Sequence, residues 1–294
     1  MAYAAFLFII LTWSYSWIVV KLALQFVGPF DFAFFRTFIG VVVLFIIGVL
    51  LKKIKLPKHI GLVALLGIFQ TGGFLILACW ALVAGGAGKT SILVYTMPFW
   101  VILLSKFLLK QKIIPMQWIA TILAFCGLIL ILEPWGMGGN FFSKFLAVLC
   151  GVSWALSVII AKIIHNKGDT DILSLTAWQM LFGIIPMLIV SLIVKEKPII
   201  LSKYLIFALL YSGLLATAIA WALWLYLLKR LPPHIVGLNV LLIPALAILI
   251  SWIQLGETPK SGEFFGILLI LSALLLTYAS SLVEYRKQRS LIKK

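Results

Sequence analysis

The chain has 294 residues, of which 64% are hydrophobic and only 11% are charged, against about 25% charged residues in a typical soluble domain. This composition excludes a soluble globular domain, a disordered chain and a disulfide scaffold, because no water-soluble fold of this size buries so much apolar surface. The net charge of +16 would suit a nucleic acid, but no separate basic domain carries it, so we expect no nucleic-acid partner and relate the charge to membrane orientation.

Apolar segments long enough to cross a bilayer follow one another along the whole chain. A helix needs about 20 apolar residues to span the hydrocarbon core. Ten segments meet this requirement, and they lie at 2–24, 30–51, 60–83, 90–109, 117–132, 145–164, 172–194, 205–228, 236–255 and 264–282. They are apolar on all faces, whereas the strands of a β-barrel would alternate in polarity. The sequence therefore predicts an all-α integral membrane protein with ten transmembrane helices.

The cationic residues predict the orientation of these helices. With the N-terminus in the cytoplasm, sixteen of the 24 Lys and Arg residues lie on the cytoplasmic side, as the positive-inside rule requires. We therefore expect a multi-pass protein of the cell membrane, in contact with the lipid bilayer and with both termini cytoplasmic.

The two halves of the chain resemble each other, with a displacement that grows from 141 to 146 residues. The matched pairs are Trp13 with Trp154, Lys21 with Lys162, Arg36 with Gln179, Gly40 with Gly183, and Pro98 with Pro244. Such a series indicates an internal duplication. It predicts one repeat over 1–135, a second over 145–282 and a basic tail over 283–294. Because each repeat has five spans, an odd number, the second is predicted to be inverted, as in transporters that work by alternating access.

Some residues resemble a known family. The stretch 11–17 (LTWSYSW), Lys21, Gly28-Pro29-Phe30 and Arg36 are similar to the opening of an EamA-domain protein of the drug/metabolite transporter superfamily. Ser14-Tyr15 departs from the usual Trp-Gly-Ser of that family. The resemblance covers nearly the whole chain and implies a ten-helix permease for small metabolites, often amino acids or related compounds.

Charges inside a membrane cost about 2.5–3.5 kcal/mol each on insertion scales, so Arg36 in the second predicted span stands out. One interpretation is that Arg36 binds a substrate carboxylate or ties helices together. The other is that it extends to the interface. Lys21 and Lys89 lie near the outer ends of their spans, where they either reach the interface or complete a basic outer vestibule with Arg36.

Aromatic and polar residues inside the spans are candidates for lining a substrate cavity. They are Trp13, Trp17, Gln70, Tyr95, Trp154, Trp178, Gln179, Tyr211 and Asn239. Interfacial belts are the alternative for the aromatic residues, and hydrogen bonds between helices are the alternative for the polar ones.

Glycine and proline within the spans predict interrupted or closely packed helices. The candidates are Gly72, Gly73, Pro98, Gly213 and Pro244. In transporters, interruptions at matching positions of the two halves point to the binding site, so we predict a gating role for these residues.

The acidic residues all fall in loops or at span ends, which disfavours a proton relay. No nucleotide-binding loop or catalytic motif occurs, so we expect neither an enzyme nor a metal or cofactor site. The sequence predicts a secondary permease that moves small metabolites, such as amino acids or other carboxylate-bearing compounds. Efflux of drugs or aromatic compounds is the alternative, and a membrane enzyme or sensor is less favoured. The oligomeric state stays open, and a monomer is compatible with the sequence.

Overall fold

The computed structural model describes residues 2–85, 96–111, 113–132, 141–168, 171–255 and 261–292. The described chain is helical. In chain order the helices are α1 (Ala2–Ala23), α2 (Pro29–Leu50), α3 (Ile60–Gly67), π1 (Ile68–Gly73), α4 (Phe74–Gly85), α5 (Met97–Leu108), α6 (Pro115–Leu132), α7 (Phe141–Asn166), α8 (Ile172–Ile193), α9 (Lys203–Leu210), π2 (Tyr211–Ile219), α10 (Ala220–Arg230), α11 (Pro233–Asn239), α12 (Leu242–Leu255) and α13 (Ser261–Ile292).

Six of these stretches are long and apolar enough to cross a membrane. They are Ala2–Ala23, Pro29–Leu50, Ile60–Ala81, Phe145–Asn166, Ile172–Ile193 and Lys203–Arg230. Four shorter apolar helices accompany them, at Met97–Leu108, Pro115–Leu130, Pro233–Ala247 and Ser261–Leu276. Tyr95 and Lys89, two residues predicted for the site, lie outside the described residues. The final helix continues to Ile292, so it extends into the region predicted as a basic tail.

Two of the long spans contain a π-helical segment in the middle. π1 joins α3 to α4, and π2 joins α9 to α10. Gly72 and Gly73 lie in π1, and Gly213 lies in π2, so the glycines predicted to interrupt their spans are in irregular helix. Wide turns of this kind are rare and occur frequently at functional sites.

The ninth predicted span, 236–255, is divided into α11 and α12 by a turn at Val240 and Leu241. Pro244 explains this division, because it has no N–H to donate to the carbonyl of Val240, and its ring would clash with that carbonyl in a continuous helix. Pro98 lies in the first turn of α5, a position that tolerates the missing N–H.

Two close helix crossings connect the halves of the chain, and both depend on glycine. α2 packs on π2, and α8 packs on α3 and π1. A Cβ atom at Gly40 would lie 2.8 Å from Thr217 Cγ2, and one at Gly183 would lie 2.5 Å from the carbonyl oxygen of Gly67. Small residues allow this backbone approach, which is how helices associate in membranes.

Two glycines and a threonine meet at each crossing, together with Arg36 at the first and Gln179 at the second. Gly213 lies against the backbone oxygen of Arg36 in the first, and Gly67 lies against that of Gln179 in the second. Gly67 and Gly213, like Thr71 and Thr217, are 146 residues apart in the sequence. The crossings are therefore related residue by residue, with the helices of the two halves exchanged.

The ends of α2 and α8 are held in different ways. The carboxylate of Glu196 accepts hydrogen bonds from the backbone N–H groups of Phe30 and Asp31, at 3.2 and 2.9 Å, and so caps α2. Asp171 caps its own helix, α8, by accepting from the N–H of Ser174 at 3.0 Å. Both caps satisfy N–H groups that a helix terminus leaves without an intrahelical partner.

Candidate functional site

Arg36 lies on α2 where that helix crosses π2, and the guanidinium is held by one hydroxyl. Its Nε and Nη2 atoms both donate to Thr217 Oγ1, at 3.2 and 3.1 Å. The side chain is half-buried. The bonds to Thr217 turn the guanidinium toward the second half of the protein, which a side chain extended to the interface would not do.

Two other predicted site residues are attached to the same π segment. Tyr211 begins π2, and its hydroxyl donates to the backbone oxygen of Thr12 at 2.9 Å. The indole Nε1 of Trp13 donates to the backbone oxygen of Ala216 at 2.9 Å. π2 therefore brings together Trp13, Arg36 and Tyr211, which come from three different predicted spans.

A cluster of tryptophans lies next to this group. The Trp13 ring contacts those of Trp154, Trp221 and Trp224, with centroid separations of 5.8, 5.3 and 5.9 Å. Phe74 packs edge-on against Trp154 at 5.0 Å. Trp154, Trp221 and Trp224 are all at least 95% buried, so the cluster is a closed aromatic wall formed by α1, α4, α7 and α10.

The positive charge of Arg36 has no carboxylate partner in the part of the chain that the structure describes. Of the acids on the same side, Glu196 caps the N-terminus of α2, and Asp31 accepts from Ser191 Oγ at 2.6 Å. Cys79 and Tyr211 are close enough to interact electrostatically with the guanidinium. Thr217 accepts from two of its N–H groups, which leaves the others available to an anion.

Gln179, the sequence counterpart of Arg36, has a different environment. It is completely buried, and its Oε1 accepts from Thr71 Oγ1 at 3.0 Å, while its Nε2 has no partner among the described residues. Gln70, also predicted for the site, is buried in π1, and neither polar atom of its amide has a partner there. Both amides lie at the α8–π1 crossing, and Gln179 contributes to the packing of helices.

Other predicted site residues lie away from Arg36. Trp178 packs against Phe45 and donates its Nε1 to the backbone oxygen of Lys55 at 3.0 Å, so it anchors the loop after α2, and its place in the cavity stays a prediction. Trp17 is 42% exposed, as expected of an aromatic belt. Asn239 is buried and donates to the backbone oxygen of Ile235 within α11, and Lys21 is exposed in the last turn of α1.

Lys162, which the repeat pairs with Lys21, donates to the carbonyl oxygens of Leu228 and Leu231 at 3.1 and 3.3 Å. These carbonyls lie at the C-terminus of α10, where a cation is favourable. Lys162 therefore provides donors for backbone carbonyls at the end of α10, the helix that carries Trp221 and Trp224.

Thr217 and Glu196 were missed by the sequence analysis, although both position the candidate site. The displacement of 146 residues that relates Pro98 to Pro244 also relates Thr71 to Thr217. The sequence therefore offered a way to find Thr217, as the counterpart of Thr71 in the second half. Glu196 is an acid in a loop, and nothing in its neighbourhood along the sequence connects it to α2. Within the described ranges, no group of three His, Cys, Asp or Glu side chains could hold a metal ion.

Comparisons with known proteins identify the family of the chain. The model of the EamA-like transporter family matches residues 1–133 and again residues 142–279. An uncharacterized transporter, YoaV of Bacillus subtilis (strain 168), is 28% identical over 269 residues, or 88% of this chain and 90% of the relative. A probable amino-acid metabolite efflux pump of Salmonella typhimurium is 26% identical over 277 residues, covering 91% of each.

A solved crystal structure has the same fold. The TM-score is 0.81 at 18% sequence identity, over 94% of this chain and 96% of the other. At this identity the likeness concerns the arrangement of helices.

Proposed function

This chain belongs to the EamA-like transporter family, and we propose that it is a secondary permease that exports amino acids or related carboxylate-bearing metabolites. The family and the relatives named above identify a multi-pass membrane transporter. The Arg36 guanidinium, which has no carboxylate partner in the described structure, supports a carboxylate as the recognised group. The name of the Salmonella typhimurium relative supports amino-acid metabolites and the outward direction.

The architecture of this permease is proposed to be ten helices in two inverted repeats, over 1–135 and 145–282, followed by the tail 283–294. Two family matches, six long spans and four shorter apolar helices support it. So do the two related crossings, in which α2 contacts π2 and α8 contacts π1. Two similar halves can pair in two mirrored ways, and exchange between these pairings would open the site to each side of the membrane in turn.

Recognition is assigned to Arg36, and Thr217 is a positioning residue. A guanidinium binds a carboxylate through parallel hydrogen bonds, which adds geometric selectivity to the attraction between charges. Because Thr217 holds one edge of the guanidinium, the remaining N–H groups keep a fixed direction. Trp13, bonded to Ala216, places an aromatic ring beside the same π segment, where the apolar part of a metabolite would lie.

Export of aromatic compounds is the second candidate, and the tryptophan cluster favours it. Such a substrate would have to separate rings that now contact each other at 5.2 to 5.9 Å. Replacement of Trp221 by leucine would then reduce transport of aromatic substrates more than transport of small aliphatic amino acids.

The proposal is tested by flux assays in proteoliposomes. Arg36→Ala should reduce amino-acid transport by at least about tenfold, as expected when a charge-assisted bond to the substrate is lost. Lys195→Ala is the matched control, because it removes an exposed cation on the same predicted outer side. Unchanged transport in a well-folded Arg36→Ala protein would refute the role of Arg36.

A further inference from the structure

A second candidate binding site lies where α2 and α10 end and α8 begins, away from Arg36. A cavity of about 670 Å³ lies between the loop after α2, the start of α8 and the last turns of α10. Its charged lining consists of Lys52, Lys53, Lys55, Asp171 and Lys229. Four cations therefore face one acid, and Asp171 is already shared between Lys53, at 3.9 Å, and the cap of α8.

The rest of the cavity wall is apolar apart from one hydroxyl. Leu173 and Leu223 are among the apolar residues that line it. The hydroxyl of Tyr226 is enclosed and has no hydrogen-bond partner among the described residues. An enclosed hydroxyl without a partner is costly, and a ligand with acceptor oxygens would satisfy it.

The lysine-bearing loop is fixed to α8 and has a defined conformation. The backbone N–H of Lys55 donates to Ser174 Oγ at 3.1 Å, and Ser174 Oγ donates back to the Lys55 oxygen at 3.0 Å. Trp178 Nε1 donates to the same oxygen at 3.0 Å. The cations are therefore carried by a backbone that is held in place before any ligand binds.

Lys52 occupies a backbone position that favours glycine. Its φ is +53°, and it follows the C-terminus of α2, where Lys53 N–H bonds to the Gly48 oxygen and Lys52 N–H to the Val49 oxygen. These two hydrogen bonds form a Schellman motif at the end of α2. Glycine is the usual residue at the position of Lys52 in this motif, because it adopts a left-handed conformation without strain. A lysine here carries a conformational cost, as it does at Lys110, whose φ is +51°, so this position offers a substitution to glycine that relieves strain and removes a cavity cation together.

We propose that this cavity binds the phosphate headgroup of an anionic phospholipid. The lysines follow the apolar span Pro29–Leu50 or end the span Lys203–Arg230, so they lie where lipid phosphates lie. Basic pockets between helices on the cytoplasmic side bind such headgroups, and this is the side that the distribution of Lys and Arg predicts as cytoplasmic. Beside the cavity, Leu50 and Leu51 are 76% and 56% exposed, which offers an apolar surface to the acyl chains.

The test uses the purified full-length protein in detergent, with thermal unfolding followed on addition of lipid. Phosphatidylglycerol should raise the unfolding temperature of the wild type, and phosphatidylcholine should not. Replacing Lys52, Lys53 and Lys229 together with glutamine should lower the apparent affinity for phosphatidylglycerol by about tenfold or more. The matched control replaces three exposed lysines outside the cavity, Lys58, Lys110 and Lys167, and should leave that affinity unchanged.

A single substitution separates binding from stability. Lys52→Gly should equal or exceed the wild type in unfolding temperature without lipid, because it relieves the left-handed conformation, but should gain less from phosphatidylglycerol. The proposal is overturned if both triple variants lose affinity equally, which would indicate general attraction between charges. It is overturned as well if inorganic phosphate stabilises the protein as much as phosphatidylglycerol does, or if Lys52→Gly gains as much from the lipid as the wild type.

Discussion

The α2–π2 and α8–π1 crossings have the same glycine and threonine spacing and differ at one position. At the first, Arg36 donates to Thr217 and is half-buried. At the second, Gln179 accepts from Thr71 and is completely buried. The geometry that joins the two halves is thus independent of charge, and the charge is present at only one of the two crossings.

This difference assigns Gln179 to helix packing and proposes Arg36 for substrate recognition. The neutral Gln179 stabilises a helix contact, because an uncharged amide can be buried with one hydrogen bond at moderate cost. A guanidinium in the same place would be far more expensive unless it were paired or reached by water. We propose that the arginine at the half-buried crossing serves to bind a ligand, and the following changes test this distinction in order of expected effect.

The largest effect is expected from filling a glycine at a crossing. Gly67→Leu would force α3 away from the backbone of Gln179 and should destabilise the protein by about 3 kcal/mol or more. Gly61→Leu is the control on the same helix, because a Cβ atom at Gly61 has no neighbour within 4 Å. Thermal unfolding and the yield of monodisperse protein measure both. Equal behaviour of the two variants would mean that the α8–π1 crossing is not a close contact.

Removing the threonine hydroxyls compares the two crossings directly. Thr71→Val leaves the buried amide of Gln179 without a hydrogen-bond partner among the described residues and should cost about 1–3 kcal/mol, whereas Thr217→Val should cost about 0.5–1.5 kcal/mol. The second cost is smaller because Arg36 is half-buried as a residue, whereas Gln179 is completely buried. The loss of transport should rank the two variants in the opposite order. The flux per folded protein should fall further in Thr217→Val than in Thr71→Val. If Thr217→Val transports at the wild-type rate, then Thr217 does not position Arg36.

A smaller effect is expected at the matched tryptophans. Trp13 donates to Ala216, and no hydrogen bond of the Trp154 indole occurs in the described structure. Trp13→Phe should therefore lower stability by about 1 kcal/mol more than Trp154→Phe, the value of one hydrogen bond. Thermal unfolding of both variants in the same detergent checks this, and equal losses would show that the bond to π2 contributes nothing.

The sequence was sufficient for the family and the helical class, because these depend on composition and on the spacing of residues along the chain. It predicted interruptions at Gly72, Gly73 and Gly213 but did not reveal that they take the form of π-helix, because glycine is compatible with several kinds of irregular helix. It could not pair Arg36 with Thr217, because the displacement between repeats does not specify which helices cross. The sequence could not show that Trp178 anchors a loop, because a tryptophan near a helix end suits a cavity and a loop anchor equally well.

The central claim is that Arg36 recognises a carboxylate, and ligand-induced thermal stabilisation tests it most directly. An amino acid that stabilises the wild-type protein would be compared with its carboxamide, in the wild type and in Arg36→Gln, which gives both crossings the same side chain. We predict that the amino acid stabilises the wild type, that the carboxamide does not, and that Arg36→Gln responds to neither. Stabilisation of Arg36→Gln by the amino acid, with the same preference over the carboxamide, would contradict the account.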